Sequence, residues 1–159
     1  MKSEIINLLS LMVLGIIYLF YFAKVQHRFF QKLSQPKKNT AVLLVFVASL
    51  ISASINLIHI ADLAADAVRF FLKNDNYLSS LIFSICFFTG MWIFSIILFR
   101  ISYLIVGLLT SEKEEDELIK NNIELAMIHT VILISLSFLI APALVKIAAG
   151  FIPYPTIPY

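Results

Sequence analysis

The sequence predicts an all-α integral membrane four-helix bundle, built as two parallel tandem two-span hairpins. Three observations carry this. Hydrophobic residues make up 60% of the 159 residues and charged residues only 14%, with a mean hydropathy of +0.93. A soluble domain has about 45–50% apolar and about 25% charged residues, so this chain cannot coat itself in water, and it is too apolar for disorder. Four separate stretches approach the ~20 apolar residues that a spanning helix needs. The basic residues gather at alternate connections between these stretches.

The first span is Ile5 to Ala23, "IINLLSLMVLGIIYLFYFA". Only Lys2 supplies positive charge before it, Glu4 offsets that charge, and the run exceeds the ~7–15 residues of a signal-peptide core. It reads as a retained helix. The following "VQHRFFQKL" reads as an interfacial amphipathic segment. Span two is Ala41 to Ile60. Span three is Ser79 to Phe99, and the apolar pattern continues past Arg100 as "ISYLIVGLLT". That continuation is either more helix or an interfacial stretch with Arg100 snorkelling. Span four is Ile123 to about Val145. Thr110 or Ser111 can cap its helix, with Glu114 as a capping-box partner to Ser111. Acidic residues favour a helix N-terminus, so this helix is expected to begin within "EKEEDE" (Glu112 to Glu117). The tail "FIPYPTIPY" holds three of the five prolines and is expected at the outer interface through Phe151, Tyr154 and Tyr159. The units are then residues 1–73 (first hairpin), 74–150 (second hairpin) and 151–159 (Pro/Tyr tail).

Lys and Arg near span ends set orientation. Lys24, Arg28, Lys32, Lys37, Lys38, Arg100, Lys113 and Lys120 lie on one face, eight of the twelve basic residues. That face is expected in the cytoplasm, with both termini out. A shift of 83 positions lays span two on span four: Asn39 meets Asn122, Leu50 to Ser52 meet Leu133 to Ser135, and Ser54 meets Ser137. Each copy holds two spans, so the copies would insert the same way round.

Polar residues inside the spans are the candidate site. In span two, Ser52, Asn56, His59, Asp62 and Asp66 fall within about a third of the helix circumference. In span four the candidates are Glu124, His129, Ser135 and Ser137. Two readings stay open. Small hydroxyls let membrane helices approach closely and bond across the interface; alternatively they line a path for an ion or small solute. Buried Glu tends to rise in pKa and buried His to fall, so neither Glu124 nor His129 need be charged. His59 and His129 differ in depth by about 20 Å, and His27 lies in a connection, so no haem or metal site is expected. Cys86 is the single cysteine. No nucleophile–base pair, phosphate loop or zinc motif appears, so no catalytic residue, cofactor or enzymatic activity is expected. A net charge of +2 with no basic aromatic face gives no argument for nucleic acid.

"ELIKNNIELA", followed by a Ser-rich span and "AP", resembles the bacterial inner-membrane family called domain of unknown function 350. Its second helices tend to follow an Asn-Thr-Ala motif. "KKNTA" (Lys37 to Ala41) matches in the first copy, and "IKNN" (Ile119 to Asn122) matches more loosely in the second. Where the family is rich in Gly in the second and fourth spans, this chain has Ala, Ser and bulky residues. The resemblance implies a four-helix inner-membrane protein without established chemistry, some of whose relatives are encoded near membrane-remodelling coat proteins. Asn39, Thr40, Asn121 and Asn122 form the helix-start motif, and Asn is a good N-cap. The expected role is a scaffold or partner subunit in the cell envelope; the rival is a small oligomeric channel or transporter. Expected partners are membrane lipid, further copies of the chain, and a cytoplasmic protein at 24–38 and 100–120.

Overall fold

The computed structural model describes residues 2–33, 39–73, 77–110 and 114–152. They form α1 (Lys2–Leu33), α2 (Thr40–Lys73), α3 (Tyr77–Thr110), α4 (Glu114–Ile119) and α5 (Ile123–Ala149). All but α4 are long and apolar enough to cross a membrane. The chain is an all-α membrane bundle. Ile and Phe are abundant in these segments beside Leu, and would suit strands in water. In hydrocarbon every backbone N–H and C=O must find a partner within the protein, and a helix provides this segment by segment. Even Pro142 is accommodated inside α5 without a break.

The helices overrun the lengths read from apolarity. α1 continues through the basic stretch to Leu33. "VQHRFFQKL" is therefore helix rather than a separate interfacial segment, and Phe30 is buried in the bundle. α3 runs unbroken through Arg100 to Thr110, about 50 Å at 1.5 Å per residue. Span four differs in the opposite sense. The acidic run forms its own short helix, α4, and α5 starts anew at Ile123. The stop is a Schellman turn. Asn122 N donates to Glu117 O and Asn121 N to Leu118 O, both at 3.0 Å. Asn121 takes the left-handed conformation (φ 63°), which short polar Asn tolerates better than most residues. In the tail Phe151 is exposed and Ile152 buried; Tyr154 and Tyr159 lie outside the described residues.

α2 is the central helix. It packs on α1, α3 and α5, while α3 packs on α1 and α5; among the described residues α1 and α5 do not meet. The bundle is thus a rhombus with α2 and α3 across its short diagonal. Ala41, Ala48, Ala53, Ala64 and Ala67 on α2 are fully buried, and small side chains are what allow helix backbones this close. One core cluster gathers Tyr18, Phe22, Ile60, Phe71, Phe88 and Met91. A second, at the α4 end, gathers Phe30, Val45, Phe99, Val106, Leu118 and Leu133. Ile16, Phe20, Leu81, Phe138 and Leu139 point outward, which lipid tolerates and water would not.

Candidate functional site

Among the described residues, three hydrogen-bonded polar groupings join the helices inside this apolar frame. The first joins α1, α2 and α3. Asn56 Nδ2 donates to Ser95 Oγ at 2.9 Å, Ser95 Oγ lies 2.6 Å from the Tyr18 hydroxyl, and that hydroxyl reaches Ala53 O at 3.4 Å. The protons can all run one way along this chain: amide to serine, serine to tyrosine, tyrosine to carbonyl. These bonds draw α3 onto α2, and among the described residues no counterpart draws α5 onto α1. The second joins α2 and α5 through Ser52 Oγ and Ser137 Oγ, 2.5 Å apart.

The third grouping surrounds the imidazole of span four. His129 of α5 is fully buried. Its Nε2 is 2.8 Å from Ser102 Oγ of α3, and its Nδ1 meets Glu114 Oε1 of α4. Tyr103 packs edge-on against the ring at 4.8 Å between centroids, and Phe99 covers it at 5.7 Å. α4 carries this carboxylate into the bundle. Glu114 and Leu118 are one turn apart on its inner face, and both are buried. Burial pushes the Glu114 carboxyl above its ordinary value; hydrogen bonding and charge from His129 oppose the rise, and Glu115 adds to it.

Hydroxyl on Nε2 and carboxylate on Nδ1 is the connectivity of an acyl-transfer triad. The surroundings are not those of one. Ser102 and His129 are wholly buried, and Ser102 Oγ also donates to Phe99 O at 2.8 Å. α3 is continuous helix here, so its backbone N–H groups are already bonded and cannot stabilise an oxyanion. With the Ser102 proton on Phe99 O, Nε2 must be the donor to Ser102, and His129 and Glu114 together hold two protons. With the Ser102 proton turned to Nε2, they hold one. The protonation of the pair is therefore coupled to one hydroxyl rotation.

The sequence candidates divide. Ser52, Asn56, His129 and Ser137 are buried inside the bundle. His59 is half-buried, Asp62 is exposed, and Asp66 pairs with Arg69 at 3.4 Å on the surface. The stripe thus enters the bundle only over its first half. Glu124 and Ser135 are exposed. The carboxylate beside His129 is Glu114, because α4 folds back on the bundle. Ser111, the expected capping partner of Glu114, lies outside the described residues. Ser102, Ser95, Tyr18 and Glu114 were not anticipated. For Glu114 a signal existed in its four-residue spacing from Leu118, which marks one face of a short amphipathic helix.

The Asn motif is structural. Asn39 Oδ1 accepts from Val42 N at 3.0 Å, and Asn122 Oδ1 accepts from Leu125 N at 3.1 Å. These are the same cap, 83 positions apart. Asn39 Nδ2 also donates to Leu118 O at 2.6 Å, and Ala41 N donates to Asn121 Oδ1 at 2.9 Å, so the start of α2 is clasped to the α4–α5 corner. Thr40 is exposed beside it. Asn122→Ala is expected to lower stability by about 1 kcal/mol. Asn121→Val is expected to do more harm than Asn121→Gly, because a β-branched residue resists positive φ. Thermal unfolding of the detergent-solubilised variants checks both.

Among the described residues no group of three His, Cys, Asp or Glu side chains could hold a metal ion. His27 is exposed, with Gln31 Nε2 at 2.8 Å. No curated protein and no solved structure matches the chain. Residues 1–144 match the sequence profile of the family described as Domain of Unknown Function (DUF350), and the chain belongs to that family.

Proposed function

We propose that this multi-pass membrane protein is a non-enzymatic scaffold or partner subunit of the bacterial inner (plasma) membrane. It works through its helices and through the connections at the α4 end, with that end in the cytoplasm and both termini outside. The supporting observation is how the buried polar groups are used. Ser52 and Ser137, Asn56 with Ser95 and Tyr18, and His129 with Ser102 and Glu114 bond to one another across helices. Groups so engaged hold helices in register and leave few polar faces to line a path. Exposed Lys24, Arg28 and Lys120 at the α4 end support its cytoplasmic placement. The partner surface comprises 24–38 and 100–120, of which 34–38 and 111–113 lie outside the described residues. Further copies of the chain and lipid cover the outward apolar faces.

Reconstitution into liposomes tests this against the channel or transporter reading. The wild-type protein is expected to pass protons and potassium no faster than empty liposomes. Flux that falls in Asn56→Leu or Glu124→Gln would establish transport instead.

A further inference from the structure

A cleft of about 870 Å³ opens at the α4 end, between α3 beyond Arg100 and the start of α4. Its walls combine three chemistries. Arg100 is exposed, its guanidinium carbon 4.8 Å from the Phe29 ring centroid. Such a contact engages the face of the guanidinium and leaves its N–H groups for a planar or tetrahedral oxyanion. Glu115 and Asp116 are exposed carboxylates on the facing helix. Leu104 and Leu108 are exposed and apolar on the α3 wall. A lone acidic cluster would call for a cation and a lone arginine for an anion; together with exposed leucines they call for an amphiphile that carries both charges.

A second observation points to a missing partner. Glu114 lines this cleft while only 4% exposed, and its Oε2 is buried with no hydrogen-bond donor among the described residues. The Tyr103 hydroxyl, on the same wall, is also buried without a partner among the described residues. Buried polar atoms are normally satisfied, and a bare carboxylate oxygen is among the least tolerated exceptions. Depth fits as well. Arg100 directly follows the apolar run Ser79 to Phe99, and a run of ~20 residues is what crosses the hydrocarbon. The cleft therefore sits where acyl chains give way to headgroups.

We propose that this cleft binds the headgroup of a zwitterionic phospholipid with a primary ammonium. The phosphate pairs with Arg100, the ammonium is held by Glu114, Glu115 and Asp116, and an acyl chain runs along Leu104 and Leu108. A primary ammonium offers three N–H donors and can satisfy Glu114. A trimethylammonium offers none, a phosphoglycerol headgroup brings no cation, and free phosphate uses Arg100 alone. The proposal does not depend on the scaffold reading.

The test uses the full chain in mild detergent. Native mass spectrometry measures retention of phosphatidylethanolamine, phosphatidylcholine and phosphatidylglycerol offered at equal concentration, and a thermal melt with inorganic phosphate is run alongside. Phosphatidylethanolamine is expected to be retained several-fold over the other two. The preference is expected to vanish in Arg100→Gln and in Glu115→Gln/Asp116→Asn, and to persist in Arg69→Gln at the opposite end. The altered side chains are exposed, and melting curves matching the wild type certify that each variant is folded. Equal retention of the three lipids would overturn the proposal, as would equal stabilisation by inorganic phosphate. A preference for phosphatidylglycerol lost only in Arg100→Gln would show a simple anion site and overturn it too.

Discussion

His129→Ala is expected to be among the most damaging single substitutions in the chain, lowering stability by about 3–5 kcal/mol. The loss does not come from the imidazole's volume alone. His129 is the partner of a carboxylate held in the bundle by α4, and without it both Glu114 oxygens are buried with no partner among the described residues. Ser102 Oγ loses a partner as well. Removing both members with His129→Leu/Glu114→Leu should restore much of the loss, because a well-packed apolar pair of similar volume carries no desolvation penalty. Chemical unfolding of the two singles and the double in one detergent gives the coupling. Simple additivity would show that the two groups do not act as a unit.

The same pair sets a pH dependence with a definite sign. Burial raises the Glu114 carboxyl above its ordinary value. Over the interval between that ordinary value and the native one, the folded chain holds a proton that the unfolded chain has released. Stability is therefore greatest on the acid side and falls as pH rises through the interval. His129, Tyr103 and the neighbouring Glu115 are the groups that face this carboxyl, and Ser102 reaches it only through His129. Glu114→Gln is expected to flatten the profile.

Ser137→Leu is the second large effect. Ser137 is fully buried against Ser52 across the α2–α5 contact, where the neighbouring Leu133 and Ala141 are also fully buried. A leucine there must force α5 away from α2, at about 1–3 kcal/mol. Ser137→Ala removes the interhelical hydrogen bond, about 0.6 kcal/mol in a membrane bundle, together with the hydroxyl's bond to Leu133 O in its own helix. Ser135→Leu, two residues away on the exposed face, should stay within about 0.5 kcal/mol of wild type. Unfolding midpoints of the three variants test the set. Equal damage from Ser135→Leu and Ser137→Leu would mean that α5 presents a different face to α2.

These contrasts mark where sequence reading reached its limit. Four spans were legible because hydrocarbon leaves a long apolar run few alternatives to a helix. The Asn caps were legible because a cap is local, with Asn39 and Asn122 bonding three residues on. Partners across helices were not. Ser95 and Tyr18 are single polar residues in apolar runs, and nothing local says that they meet over Asn56. Ser135 and Ser137 differ only in rotation about α5, which neighbours decide. Glu114 read as a capping-box partner of Ser111 within an acidic run. Only the Schellman stop at Asn121, which separates α4 from α5, turns it inward to His129.

The claim beneath all of this is four crossings, with the α1–α2 corner and α4 at one end. In a Cys86→Ser background, single Arg28→Cys, Glu115→Cys, Arg69→Cys and Lys146→Cys variants are exposed to a membrane-impermeant maleimide in intact cells and in inverted vesicles. Arg28→Cys and Glu115→Cys are expected to react only in inverted vesicles, and Arg69→Cys and Lys146→Cys only in intact cells. Labelling of Arg28→Cys and Glu115→Cys from opposite sides would contradict the bundle.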